Sequence, residues 1–371
     1  MRLLINEPGL FLGVREGMIE VRRPRGKRNG TNKGEGKEKE KKREGEKENE
    51  KTKGNDGDER VLEVALPKLD QVSVLTRSVA FSSDFVRLLS EYHVPLVFYS
   101  GYGYPEVVVG GAEETGSVAL RRAQYAARDG PLGVALAKSF VYGKLMNQRA
   151  LLYSMARNRE RSDPTLSEAL FKASSALRDF AEQAVAVRAE TCDEARVPLM
   201  EVEANGASAY WDAVGAALSK VIEFPGRKKR YDGATDPVNV ALNYLYTVLG
   251  TECALQLKLN GLDPYAGFLH EDSPRRPGLA MDLIEEFREP VVDRAIIRLA
   301  FERKLDKAVE GDRLTREARK EVYRAYAERM EAPVTFLNRR LPIQDHLTLQ
   351  ARRIGEHVMG REDYTPFAEG L

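Results

Sequence analysis

The chain has 371 residues, 42% of them hydrophobic and 31% charged, with a formal net charge of +1. That length supports two domains with cores of their own, and a balance so close to neutral removes an overall basic field as a pointer to nucleic acid. Two distant cysteines without a Cys-x-x-Cys pair, polar Asn6 and Glu7 too early for a signal peptide, and no apolar run of bilayer length set aside a disulfide framework, thiolate-bound zinc and a membrane span; the setting read from them is reducing and cytoplasmic.

Leu3, Leu4 and Ile5 read as a first strand before a Pro8-Gly9 turn, and 10–14 and 18–21 as two more, separated by Arg15-Glu16-Gly17. Residues 22–60 then hold no aliphatic, aromatic or Cys side chain. Such a stretch cannot bury a core, and a mobile loop or extended hairpin tip is expected there. Strand patterning resumes over 61–66 and 72–75. Ser82-Ser83-Asp84 opens a helix with Phe85, Val86, Leu88 and Leu89, and 94–99 is an apolar strand ended by Gly101-Tyr102-Gly103. From about Ser117 apolar residues recur at three and four, which predicts helices over 117–128, 132–155, 165–189, 194–223, 237–259, 279–308, 314–330 and 343–360. The expected fold is α+β: a small, mostly β domain over 1–112 carrying the charged insertion 22–60, then a larger all-α domain over 113–371 whose last tract, 363–371, is loose.

Phosphate-loop, nucleophile-elbow and His-Glu-x-x-His patterns are absent, and there are only four His: His93, His270, His346 and His357. His270 lies in a polar loop, Gly267 to Pro277, between a helix that ends near Gly261 and one that starts near Leu279; alone it is a hydrogen-bonded loop histidine or a ligand. On the following helix Asp282, Glu285, Glu286 and Glu289 share one face at i, i+3, i+4 and i+7. They make either a solvated acidic helix start or a stripe that gathers a cation. Glu203 is surrounded by small residues, with Ala207 and Tyr210 on its face, which leaves room for a cation or a phosphate; an ordinary surface Glu is the plainer alternative. One imidazole with carboxylates and no thiolate suits Mg²⁺ or Mn²⁺. Basic groups cluster at Arg227-Lys228-Lys229-Arg230, at Arg275 and Arg276, at Arg352 and Arg353, and around Lys144 and Arg149, a distribution that fits tracking of a phosphate backbone.

These residues resemble the DNA-integrating nuclease family of CRISPR adaptation, the first of its two universal proteins. Leu3-Leu4-Ile5-Asn6-Glu7-Pro8-Gly9 with Leu12-Gly13, the stretch from Ser82-Ser83-Asp84 to Val97-Phe98, Lys144-Leu145-Met146-Asn147-Gln148, and Asp236-Pro237-Val238-Asn239 with Asn243-Tyr244 carry the likeness along nearly the whole chain. The most specific stretches are Gly261-Leu262-Asp263-Pro264-Tyr265, Gly267-Phe268-Leu269-His270-Glu271-Asp272 and Asp282-Leu283-Ile284-Glu285-Glu286-Phe287-Arg288. The resemblance implies a divalent-metal-dependent DNA endonuclease and integrase. It places Mg²⁺ or Mn²⁺ on Glu203, His270 and Glu285, with Asp282 either a supporting group or a further ligand. The 3′-hydroxyl of a captured DNA fragment would attack a phosphodiester at the repeat border. Arg227, Lys228, Lys229, Arg230, Arg275 and Arg276 are the expected DNA contacts, and Tyr210 and Asn243 line the site. Double-stranded DNA (fragments and CRISPR repeat), a homodimer through the β domain and the small second adaptation protein are the implied partners, with no membrane. The insertion 22–60 departs from the family pattern. A non-catalytic DNA-binding scaffold and a metal nuclease acting on branched DNA or RNA in repair are the two other readings of the same residues.

Overall fold

The computed structural model describes residues 2–24, 59–110 and 118–369. The chain divides into two compact units, Met1–Phe98 with Val107–Gly111, and Tyr99–Glu106 with Ala112–Leu371. The architecture is α+β, strand-rich at its N-terminal side and helical beyond.

The strands are β1 (Arg2–Ile5), β2 (Leu10–Arg15), β3 (Met18–Arg23), β4 (Glu59–Val64), β5 (Gln71–Val74) and β6 (Val79–Phe81), then, after helix α1 (Ser83–Glu91), β7 (Leu96–Tyr99) and β8 (Pro105–Val109). They form two four-stranded sheets, β1-β5-β7-β8 and β4-β3-β2-β6. Glu16 and Gly17 both take positive φ, 52° and 75°, so β2 and β3 join through a tight two-residue turn whose twist matches that of the strands. Ser82 caps α1 by accepting the Phe85 amide at 3.2 Å. Phe85 and Leu89 then bury against Leu3, Ile5, Leu12, Val72 and Leu96 from the strands. Arg22 pairs with Arg60 and Arg23 with Glu59 across β3 and β4. The loop or hairpin tip expected between them falls on 25–58, outside the described residues.

The second unit holds α2 (Val118–Ala127), α3 (Pro131–Arg157), α4 (Pro164–Ala186), α5 (Cys192–Leu218), α6 (Pro237–Leu259), α7 (Gly278–Leu283), α8 (Arg294–Phe301), β9 (Val309–Glu310), β10 (Arg313–Leu314), α9 (Arg316–Glu331), β11 (Pro333–Phe336), β12 (Arg339–Pro342) and α10 (Ile343–Val358). β9 with β10 and β11 with β12 are short hairpins in a region expected to be wholly helical. Leu337 and Asn338, at φ 47° and 60°, make the second turn, an αL conformation to which Asn is suited.

Two further expectations are corrected. The single helix expected over 279–308 is broken: α7 passes into a 3-10 turn, Ile284–Glu286, a π-helical stretch, Arg288–Asp293, and only then α8. Pro290 is the physical reason, because it brings no N–H to the Glu286 carbonyl four residues back. The Asn147 side chain on α3 donates to that carbonyl instead, at 2.8 Å. The tract expected to be loose is packed over its described residues, 363–369: Phe367 is fully buried and stacks on Phe287 with centroids 4.8 Å apart and planes 12° from parallel.

Candidate active site

Glu203 stands on α5 and Lys144 on α3. Of the small residues around Glu203, Ala204 and Ser208 are exposed, whereas Gly206 serves helix packing: it is buried, and a Cβ there would land on Leu145 of α3. This contact brings the two helices close enough for Lys144 Nζ to pair with Glu203 Oε1. The same ammonium lies 2.8 Å from Glu285 Oε2, and Arg288 Nη2 lies 3.0 Å from Glu285 Oε1. Lys144 and Glu285 are both buried, at 4% and 2% exposure. Burial opposes the Lys144 charge, yet Glu203 and Glu285 hold its pKa above the ordinary lysine value. Burial likewise opposes the Glu285 charge, and Arg288, Lys144 and His270 hold it below the ordinary value. The centre therefore consists of two carboxylates meeting on one cation, with a guanidinium steadying the second.

His270 reaches this centre from the loop after α6. Gly261, at φ 82°, ends that helix, and Gly267 and Gly278 let the ends of the loop cross: a Cβ on Gly267 would stand 2.8 Å from the Gly278 carbonyl carbon. Gln124 of α2 donates to the carbonyls of Asp263 (2.8 Å) and Ala266 (3.0 Å) and accepts the Asp263 amide at 2.9 Å. Arg196 of α5 donates to the Leu269 carbonyl at 3.2 Å. Asp282 closes the loop from inside. Its Oδ2 accepts the amides of Phe268 (2.6 Å) and Leu269 (3.1 Å), and its Oδ1 accepts the His270 amide (2.9 Å) and lies 2.7 Å from His270 Nδ1. A carboxylate only accepts, so Nδ1 carries the proton and the Nε2 lone pair is left free. Burial opposes a charged His270, but the hydrogen bond and charge of Asp282, with Glu285, raise its pKa.

The four acidic residues read as one face do not share one. The break in the helix sends each to its own partners. Asp282 goes to the His270 loop and Glu285 to Lys144 and Arg288. Glu286 accepts from Gln350 (3.0 Å), Tyr364 (2.8 Å) and the Phe367 amide (2.8 Å), and Glu289 pairs with Arg294 at 3.1 Å. All four are at most 2% exposed, so this is not a solvated acidic helix start.

The basic groups divide. Arg227 turns inward: it donates to Asn239 Oδ1 (3.0 Å) and Asn243 Oδ1 (2.7 Å) and lies 5.2 Å over the Tyr246 ring, and burial lowers its pKa. It anchors the loop and is poorly placed to meet a phosphate directly. Lys228, Lys229 and Arg230 are exposed, with Arg230 stacked 3.3 Å over Tyr102; Arg275 and Arg276 are exposed as well. Asn243 belongs to the Arg227 anchor. Tyr210 is fully buried, and its hydroxyl donates to Asp293 Oδ2 at 3.0 Å while Tyr246 donates to Oδ1 of the same carboxylate at 2.5 Å. Tyr210 thus holds Asp293, whose charge acts on Arg288. The pairing roles of Lys144 and Arg288, and the loop-holding role of Gln124, were not read from the sequence. Their one local signal is position, Lys144 beside the small-residue contact and Arg288 one turn after Glu285.

Among the described residues no group of three or more His, Cys, Asp or Glu side chains is drawn together as a metal cluster. The donor set nonetheless fits a hard divalent cation. Glu203 and Glu285 converge on one positive charge, that of Lys144, which a cation could replace or share, and His270 is close enough for its charge to act on Glu285. Cys192 and Cys253 are buried separately and take no part.

The family model described as CRISPR associated protein Cas1 matches residues 41–328. A curated relative from Archaeoglobus fulgidus, named CRISPR-associated endonuclease Cas1 1, is 32% identical over 382 residues, covering 100% of this chain and 99% of its own. Of the solved structures, a casposase bound to integration product matches with a TM-score of 0.73 at 19% identity, over 100% of this chain and 93% of that one. A chain of a Cas6-RT-Cas1–Cas2 complex matches with a TM-score of 0.64 at 17% identity, over 100% of this chain and 36% of that one. At such identities these two likenesses are of fold alone.

Proposed function

The chain belongs to the CRISPR-associated Cas1 family, and we propose that it is a divalent-metal-dependent DNA endonuclease and integrase that joins captured foreign DNA fragments to a CRISPR repeat. Glu203, His270 and Glu285 are the proposed ligands of Mg²⁺ or Mn²⁺, with Asp282 behind them. The observation that carries this reading is the meeting of Glu203 and Glu285 on one buried cation, with a histidine, held at Nδ1 by Asp282, whose charge acts on Glu285. When bound, the ion would supply Lewis-acid activation of the attacking hydroxyl or water and neutralise charge on the phosphate.

The residues of the chain do the rest. Asp282 retains the Nδ1 proton of His270, which leaves Nε2 as the nitrogen able to bind. Arg288 fixes one oxygen of Glu285 and Lys144 meets the other, at 3.0 and 2.8 Å. Lys228, Lys229, Arg230, Arg275 and Arg276 offer exposed cations to the phosphate backbone, the first three on a loop that Arg227 pins to Asn239 and Asn243. With a DNA 3′-hydroxyl as nucleophile the same arrangement exchanges one phosphodiester for another; with water it cuts. A homodimer, a complex with the small second adaptation protein and a cytoplasmic setting belong to the same proposal, and no helix among the described residues is long and apolar enough to cross a membrane.

One observation favours the scaffold reading: Lys144 already neutralises both carboxylates, so their burial has a purely structural explanation. Incubating the protein, with its small partner, with labelled duplexes and a plasmid carrying a CRISPR repeat separates the readings. Joined product that requires Mg²⁺ or Mn²⁺ supports integration. Cutting without joining points to a repair nuclease, and neither activity points to the scaffold.

A further inference from the structure

We propose that residues 363–369 are a positioning element of the active site, holding the turn that presents Glu285 and so setting how tightly the site takes a divalent cation. The inference rests on the metal reading above. Pro290 leaves the Glu286 carbonyl without its helical partner, and Asn147 Nδ2 takes that carbonyl at 2.8 Å. The same nitrogen donates to the Phe367 carbonyl at 2.9 Å, and Asn147 Oδ1 accepts the Glu369 amide at 2.9 Å. One side chain thus ties the Glu285 turn, α3 and the tail together. Asn147 is also one helical turn from Lys144, the cation that meets Glu285, so the register of the tail on α3 is the register of Lys144 on Glu285.

The side chain of Glu286 repeats the connection. It collects the Phe367 amide, the Tyr364 hydroxyl and Gln350 Nε2, and Gln350 donates onward to the Thr365 carbonyl at 3.0 Å. Phe287 stacks on Phe367. The two residues that follow Glu285 therefore find their main partners in the tail, and Gly143 admits it: a Cβ there would stand 3.0 Å from Pro366 Cβ and 3.1 Å from Glu286 Cγ. Asn147, Glu286 and Gln350 are fully buried. Metal coordination tolerates about 0.2 Å of ligand displacement, whereas a fold tolerates much more. Loosening this strap should weaken cation binding before it weakens the protein.

Titration with Mn²⁺, reading the free ion by electron paramagnetic resonance, tests this on the full chain alongside duplex affinity and circular dichroism. Glu286→Gln is expected to weaken Mn²⁺ binding about ten-fold, and Tyr364→Phe by less, with helicity and duplex affinity kept. Wild-type Mn²⁺ affinity in both variants overturns the inference, as does an equal loss of Mn²⁺ and duplex binding, which marks general damage. Should Glu286→Gln fail to fold, Tyr364→Phe, which removes one hydroxyl, decides. His270→Ala is the control. If it binds Mn²⁺ as the wild type does, the metal site itself is wrong; if it loses Mn²⁺ while the tail variants keep it, only the positioning role falls.

Discussion

Four donors meet on the two oxygens of Asp282, three of them backbone amides of the loop that carries His270. The geometry gives Asp282 the task of shaping that loop, and leaves Glu285 as the carboxylate facing Lys144 and the Glu203 side. Asp282→Asn puts an NH₂ where an acceptor is needed. It is expected to lower the rate of metal-dependent DNA cutting about 10–100-fold, measured on a labelled duplex at saturating Mn²⁺; an unchanged rate would mean the loop holds without it. Glu289 offers a different test. Burial, against the pull of Arg294, pushes its carboxyl from the ordinary 4.5 up to about 7. A group with a raised folded pKa binds its proton more tightly in the fold than in the unfolded chain. Its stabilising contribution is full below the unfolded value and is lost as pH rises through about 7. Glu289→Gln is expected to gain melting temperature relative to wild type at about pH 8 compared with about pH 5; the same difference at both pH values would contradict the assignment. Glu203, His270 and Glu285 are candidates that the resemblance supplied. The pairing of Lys144 with the two carboxylates was not legible, because its partners lie on other helices and no local pattern encodes them.

At the scale of elements, the helices were legible where one apolar period ran unbroken, as in α3, α4 and α6. The pattern over 279–308 also keeps its period, and Pro290 was the available sign that the backbone does not. The break has a consequence for chemistry, since an intact helix would have kept Asp282, Glu285, Glu286 and Glu289 on one stripe instead of distributing them to four sets of partners. The tail was read as loose because nothing local marks it; Phe367 finds Phe287 only in three dimensions. Gly206 tests the packing that brings Glu203 to Lys144. Gly206→Ala forces its methyl onto Leu145 and is expected to cost about 1–3 kcal/mol, read by chemical denaturation, with a loss of cutting out of proportion to the folded fraction. Unchanged stability would show that α3 and α5 have slack there.

For the whole molecule, the α+β plan was legible because alternation gives way to helical period near residue 110, whereas the pairing of the strands into two sheets, with β1 and β2 adjacent in sequence yet in different sheets, was not. The net charge of +1 likewise conceals how the cations are used: Arg227 and Arg288 are folded inward, and Lys228 and Lys229 stay exposed. Lys228→Ala with Lys229→Ala is expected to weaken duplex binding without sequence preference. The slope of log K against log salt should fall by about 1 for each phosphate that is no longer neutralised. A slope equal to that of the wild type would move the DNA path elsewhere. Metal-dependent cutting and joining of labelled DNA by wild type, His270→Ala and Glu285→Ala puts the active site itself to the test. Activity that needs Mg²⁺ or Mn²⁺ and disappears in both variants, with folding and duplex binding retained, is the expected result; variants that cut as well as the wild type would contradict it.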